Sequence, residues 1–219
     1  QYYGSASAIF ADKSAHSPFL KKGVRIVITD VIMNNEASIK KVFATRDDTR
    51  TYPITGYYVL GEDIDHSNYA FTYYSGWDSG DLNKFSGVVD GRNHTVKSKS
   101  SFSGVFGRLN GATIKNLTVT DAWYHNYNDQ SLLASGMTNT TLNNVTMKVL
   151  ANNDPILEPG ENKLGWVCRN QFQNNTIKNC TFDASGKIVT RLFSSNNSTN
   201  SSTVENSTFK CDQFYSLYK

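Results

Sequence analysis

The eight residues TIKNLTVT at 113–120 return three times before the chain ends, as TLNNVTMK at 141–148, TIKNCTFD at 176–183 and TVENSTFK at 203–210. The copies start at 113, 141, 176 and 203, so they lie 28, 35 and 27 residues apart. Their common frame is Thr, aliphatic, any residue, Asn, any residue, Thr, apolar. Such a frame constrains the fold strongly, because a unit of this size cannot bury its own apolar face and must stack on its neighbours.

Each position of the frame has a physical reading. Ile114, Leu142, Ile177 and Val204 form one apolar column, and Val119, Met147, Phe182 and Phe209 form another. Both hold residue types that suit strands. Between them stands Leu117, Val145, Cys180 or Ser207. Apolar residues spaced by three and then two do not fit one flat strand, whose side chains alternate every two residues. The spacing predicts two short strands with a bend between them. At the bend stands Asn116, Asn144, Asn179 or Asn206, and Asn tolerates the left-handed conformation better than any residue but Gly. Stacked in register, these four asparagines are expected to form a buried ladder, their amides bonding along the stack. The Asn-x-Thr sequons they begin then read as by-products of the repeat.

A further strand is expected before each copy, in SGVFGRL (103–109), QSLLASGM (130–137), LGWVCRNQ (164–171) and KIVTRLFS (187–194). The arm LANNDPILEPGENK (150–163), with Pro155 and Pro159, is expected to protrude as a loop. The predicted fold is all-β, a parallel β-helix or solenoid.

Composition narrows function. Charged residues make up 19% of the 219, the net charge is +3, and the adjacent lysines at 21–22 and 40–41 are the only paired basic residues, so no nucleic-acid face is expected. No apolar run approaches a bilayer span of about 18 residues, and no direct membrane insertion is expected. The chain opens on Gln1, and it reads as a piece of a larger, processed protein. Cys168, Cys180 and Cys211 have no metal-site spacing, and buried thiols are expected.

FSGVVDGRNHTV (85–96), GVFGRLNGATIKNLTV (104–119) and NTIKNCTF (175–182) resemble the GLUG-motif repeats of bacterial cell-surface proteins, and GYYVLGEDIDHSN (56–68) is similar to that family's opening segment. The resemblance covers roughly residues 56–210 and weakens in the later copies. It implies a right-handed parallel β-helix in a secreted, surface-attached, multidomain protein with adhesion or glycan contact, and it carries over no catalytic residue. Residues 1–55 are expected to be an N-terminal cap, with a strand at 24–29 and a short helix within 35–46, over β-helix repeats at 56–219.

Candidate chemistry is sparse. Carbohydrate-cleaving sites on stacked strands need acids in the same column of adjacent units. The aligned strands provide none: Thr120 is followed by Lys148, Asp183 and Lys210. Asp154, Glu158 and Glu161 could hold calcium, but without EF-hand spacing they read as a solvated loop, and no cofactor is expected. In EDIDH (62–66), alternation sends Asp63 and Asp65 outward and Ile64 inward, which favours a structural turn over a metal site. His16, His66, His94 and His125 form no paired motif, and no nucleophile elbow occurs.

Aromatic residues are the remaining lead. Tyr73, Tyr74, Trp77, Trp123, Tyr124 and Tyr127 are placed in the arms, where flat apolar rings with polar neighbours suit sugar stacking. The expectation is a monomeric, non-catalytic module of a secreted bacterial surface protein, an adhesin-like spacer or glycan-binding unit, with host or bacterial glycans or surface proteins as partners. The alternative is a β-helix polysaccharide lyase or glycoside hydrolase with acids on its loops.

Overall fold

The computed structural model describes residues 31–35, 37–39, 55–65, 84–99, 104–123, 131–149, 156–157, 167–193 and 201–216. Most of these residues are strand. In chain order the strands are β1 Val31–Met33, β2 Tyr57–Leu60, β3 Ile64–Asp65, β4 Val88–Asp90, β5 Thr95–Lys99, β6 Arg108–Asn110, β7 Thr113–Trp123 and β8 Ala134–Thr138. There follow β9 Thr141–Val149, β10 Ile156–Leu157, β11 Cys168–Gln173, β12 Thr176–Lys178, β13 Thr181–Arg191, β14 Thr203–Glu205 and β15 Thr208–Ser216. Helix among the described residues is confined to one turn at 37–39.

All the pairings are parallel, and they link units distant in the chain. The larger sheet, of twelve strands, runs β1-β2-β4-β7-β9-β12-β14, with β3, β5, β10, β13 and β15 joined beside that path. A separate sheet of three strands runs β11-β8-β6. The frame positions pair as their alignment requires. Ile114 opposes Leu142, Leu142 opposes Ile177, and Ile177 opposes Val204. Val119, Met147, Phe182 and Phe209 pair successively in the same way. A one-residue slip would turn every one of these side chains outward, so burial holds the register.

The columns are the core. Ile114, Leu142, Ile177, Val119 and Met147 are completely buried, and Phe182 nearly so. Each such side chain contributes roughly 1.5–3 kcal/mol of burial. Aromatic rings extend the column at its later end, where Phe182 stacks on Phe209 at 5.1 Å between centroids and meets Phe193 edge-on at 5.8 Å. Phe193 in turn stacks on Phe172 at 4.2 Å, tying the two sheets together.

The bends are set by backbone chemistry. Asn116, Asn144, Asn179 and Asn206 have φ of 51°, 57°, 56° and 47°, the left-handed region. A second corner, between the smaller sheet and the larger, uses Gly111, Asn139 and Asn174 with φ of 76°, 49° and 55°. Inside that corner Asn175 is buried, its amide nitrogen donating to the Met137 carbonyl at 3.1 Å while its oxygen accepts from the Thr140 N–H at 2.9 Å. Gly104, with φ of 61°, is required where the chain passes the Leu133 backbone, because an added Cβ would collide with it.

Four sequence expectations need correction. The corner asparagines are not buried: Asn144, Asn179 and Asn206 are exposed and Asn116 is half-buried, because a bend outside the core leaves its side chain at the surface. KIVTRLFS is strand through Arg191, as expected, but as the continuation of β13 and not as a separate strand, and Phe193 bridges to Cys168. The arm at 150–163 does not simply protrude, since Ile156 and Leu157 pair with Ile188 and Val189. Trp123 belongs to β7, where its backbone pairs with Lys99, and not to a free arm. The strand expected at 24–29 and helix residues 40–46 lie outside the described residues; the described strand in that region, β1, pairs with β2 and continues the larger sheet.

Candidate functional site

The outer faces of the larger sheet carry side chains in register, one per unit. Thr113, Thr141, Thr176 and Thr203 form one column before the corner, and Thr95, Thr118, Thr146, Thr181 and Thr208 form another after it. Neighbours in a column lie about 4.7–4.9 Å apart, the strand spacing. Thr203 and Thr208 are exposed and the others half-buried, so both columns face solvent. Beside the second runs a mixed-charge column of Asp65, Lys97, Thr120, Lys148, Asp183 and Lys210. Lys97 pairs with Asp65 at 3.2 Å. The hydroxyl of Ser185 first, with the Ser185 amide and the charges of Lys210 and Lys148, holds Asp183 below the usual carboxylate range against its partial burial. The face is therefore close to self-compensated in charge.

Along the corner the amides bond with a consistent direction. Asn144 donates through Nδ2 to Oδ1 of Asn116 at 3.0 Å, and Asn116 donates to Oδ1 of Asp90 at 3.0 Å. Asn179 donates to Oδ1 of Asn143, the residue before the corner, at 3.0 Å, so the series steps sideways there. At the second corner Asn139 donates to Asn110 at 3.3 Å. In every case the donor belongs to the later unit and the acceptor to the earlier one.

The series ends in a polar knot around Asp90. Tyr57 donates its hydroxyl to Oδ2 of Asp90 at 3.1 Å, and Lys115 Nζ lies 3.2 Å from the same oxygen and 5.4 Å from the Tyr57 ring centroid. The Arg92 N–H donates to Oδ1 at 3.1 Å. Burial alone would raise the Asp90 carboxyl, but Asn116, Arg92 and Lys115 together outweigh it and hold the group below its ordinary value. Tyr57 and Asp90 hold Lys115 above its usual value against a smaller effect of burial. A carboxylate saturated by donors and ionised far below neutrality is a poor general base, so the knot anchors the corner rather than moving protons.

Asp63 and His94 make a smaller cluster. The Thr95 N–H donates to Oδ1 of Asp63 at 2.8 Å, and His94 Nδ1 lies 3.2 Å from the same oxygen. The Thr95 amide first and His94 second hold Asp63 low. His94 closes a turn by donating its N–H to the Gly91 carbonyl at 2.8 Å. Ile64 is buried and Asp63 and Asp65 are exposed, the alternation expected of this segment.

Among the described residues no three of His, Cys, Asp and Glu gather as metal ligands, and no two acids are adjacent in a registered column. Cys168 and Cys180 are buried and Cys211 is half-buried, all three as free thiols; burial pushes the Cys180 and Cys211 thiols up. Of the aromatic residues proposed to bind sugar, Tyr73, Tyr74, Trp77, Tyr124 and Tyr127 lie outside the described residues, as do Asp154, Glu158, Glu161, His16, His66 and His125. Trp123 is placed by its backbone alone, at the end of β7. Sequence reasoning missed the Asp90 knot, whose signal was an acid opposite Lys115 in the column that continues with Asn143, Lys178 and Glu205. No protein-family model, no curated protein and no solved structure matches the chain.

Proposed function

We propose that the chain winds as a right-handed parallel β-helix and serves as a non-catalytic module of a secreted bacterial surface protein, holding a glycan or a surface partner at a distance. The observation that carries this reading is the seven-strand parallel path in which residues about one repeat apart oppose each other. Successive units that each supply the next one's strand partner favour a rod, and a rod suits a spacer. The likeness of residues 85–96 and 104–119 to GLUG-type repeats supports the surface location. The Thr and Asn columns offer hydroxyl and amide groups to sugar hydroxyls, and the aromatic residues Trp77 and Trp123 are the candidates for stacking.

The test is a panel of glycans and polysaccharides, with and without calcium, read for binding and for released sugar. Binding without turnover that is lost in Trp77→Ala or Trp123→Ala fits the module. Sugar release would overturn the non-catalytic reading and point to a loop-borne site. Silence in both channels would reduce the module to a spacer.

A further inference from the structure

The corner asparagines face solvent, which removes the reason for reading their Asn-x-Thr triplets as by-products of a buried ladder. Among the described residues eight other than glycine have positive φ, and seven of these are asparagines that open such a triplet. Asn93, Asn116, Asn144, Asn179 and Asn206 lie along the first corner, Asn139 and Asn174 along the second. Their threonines are residues of the two outward columns, Thr95, Thr118, Thr146, Thr181 and Thr208 in one and Thr141 and Thr176 in the other. A surface turn with Thr two residues after Asn is the setting in which an N-linked glycan is carried. Further triplets within 196–202 begin outside the described residues.

The seven corners are not equivalent. Nδ2 is the atom that carries the sugar, and at four corners it is already donated across the stack: Asn116 to Asp90, Asn144 to Asn116 and Asn179 to Asn143, each at 3.0 Å, and Asn139 to Asn110 at 3.3 Å. A sugar on one of these takes a hydrogen of that amide and must fit between units about 4.7–4.9 Å apart. At Asn93, Asn174 and Asn206 the amide nitrogen makes no such bond among the described residues, and all three side chains are exposed. Asn174 uses its oxygen instead, accepting from Ser201 Oγ at 2.6 Å. Asn206 is exposed as the inner Asn144 and Asn179 are, so its exposure does not depend on its place in the last described unit. The three also stand apart. Asn93 and Asn206 are separated by four strand spacings, about 19 Å, and Asn174 is on the other corner.

The geometry points to Asn93, Asn174 and Asn206 as acceptor sites for N-linked oligosaccharide, with the ladder amides of Asn116, Asn139, Asn144 and Asn179 left bare. A transferase met during export moves the sugar from a polyprenyl pyrophosphate carrier. The bond from the sugar C1 to the phosphate oxygen breaks, a bond from C1 to Nδ2 forms, and the amide proton leaves with the released pyrophosphate. Glycans so spaced cover the corners of the stack without entering it. The inference goes beyond the proposed function, from which it takes export of the chain and not a bacterial source.

The full chain, led by a secretion signal, is exported from a eukaryotic cell line, and each site is read by peptide mapping after enzymatic deglycosylation in heavy-oxygen water. All seven triplets end in Thr, so the acceptor pattern alone does not separate them. Occupancy at Asn93, Asn174 and Asn206 should exceed that at the four ladder corners about tenfold, since a ladder amide must first give up its bond. Thr95→Ala, Thr176→Ala and Thr208→Ala, which leave each asparagine in its turn, should each remove one glycan mass. Asn116→Gly keeps the left-handed bend but deletes the acceptor of Asn144, and occupancy at Asn144 should then rise about threefold or more. Export of a chain bare at all three sites, equal occupancy at all seven corners, or indifference of Asn144 to Asn116→Gly would overturn the proposal. An exported but bare chain would leave the spacer reading standing, because glycan binding is measured separately on the unmodified chain.

Discussion

The unit at Thr141–Val149 and the unit at residues 203–211 share one frame and differ in their neighbours. Leu142, Val145 and Met147 are completely buried, because a unit lies on either side; Val204 and Phe209 are half-buried, and among the described residues a paired unit lies on one side of them. Ring stacking of Phe209 on Phe182 replaces part of what the missing neighbour would cover. The contrast teaches that in a stacked repeat the energy of a position belongs to the interface and not to the residue. Its frame states which side chains can be buried; only the stack decides which are.

The largest expected effect breaks this contrast directly. Leu142→Ala should cost about 2–5 kcal/mol, whereas Val204→Ala in the matching position should cost about 1 kcal/mol or less, both read from urea unfolding midpoints. Equal losses would mean that the end unit is covered after all.

Next comes the corner. Asn144→Ala forces a Cβ residue with no local polar compensation into the left-handed region and deletes the bond to Asn116, a loss of about 1–2 kcal/mol. Asn144→Gly should recover most of it, since Gly adopts that conformation freely. A Gly variant as damaged as the Ala variant would place the cost in the amide bond and not in the backbone.

Acid should separate the two regions more finely. Asp90, with a 15% exposed side chain, is held low in the folded state, so its contribution is present above the ordinary carboxylate value and is lost as pH falls through the depressed folded one. Asp90→Asn should lower stability by about 1–2 kcal/mol at neutral pH and flatten the acid limb of a pH–stability curve. The smallest effect is expected on the outer faces: Thr146→Val should change the unfolding free energy by no more than about 0.5 kcal/mol, because that column lies at the solvent side of the stack.

The sequence was most legible where one residue type answers one physical demand. Asn at a left-handed bend and a β-formed apolar residue in a shared column are such cases, and the registers of Ile114 with Leu142 and of Met147 with Phe182 follow from them. It was less legible upstream. Val89 and Val96 occupy the columns of Ile114 and Val119, but the bend between them carries Gly91, Arg92, Asn93 and His94 where the later units have two residues, so the shared frame does not align there. The Asp90 knot was hidden for another reason. Tyr57 and Asp90 are 33 residues apart, and only strand pairing brings Tyr57, Asp90 and Lys115 to one oxygen. Burial of the corner asparagines was misjudged because the ladder was assigned to the interior, while its polar amides bond to one another at the surface.

The central claim is that successive units lie parallel and in register, and paired cysteines test it most directly. Thr146 and Thr181 oppose each other, at the strand spacing of about 4.7–4.9 Å, within the 4.4–6.8 Å between Cα atoms that a disulfide accepts. Under mild oxidation the chain carrying Thr146→Cys and Thr181→Cys should close a 146–181 disulfide, identified by peptide mapping against the native thiols. The chain carrying Thr146→Cys and Asp183→Cys, offset by two residues, should not. Closure of the offset pair with failure of the registered pair would contradict the stacking on which the fold and the proposed role both rest.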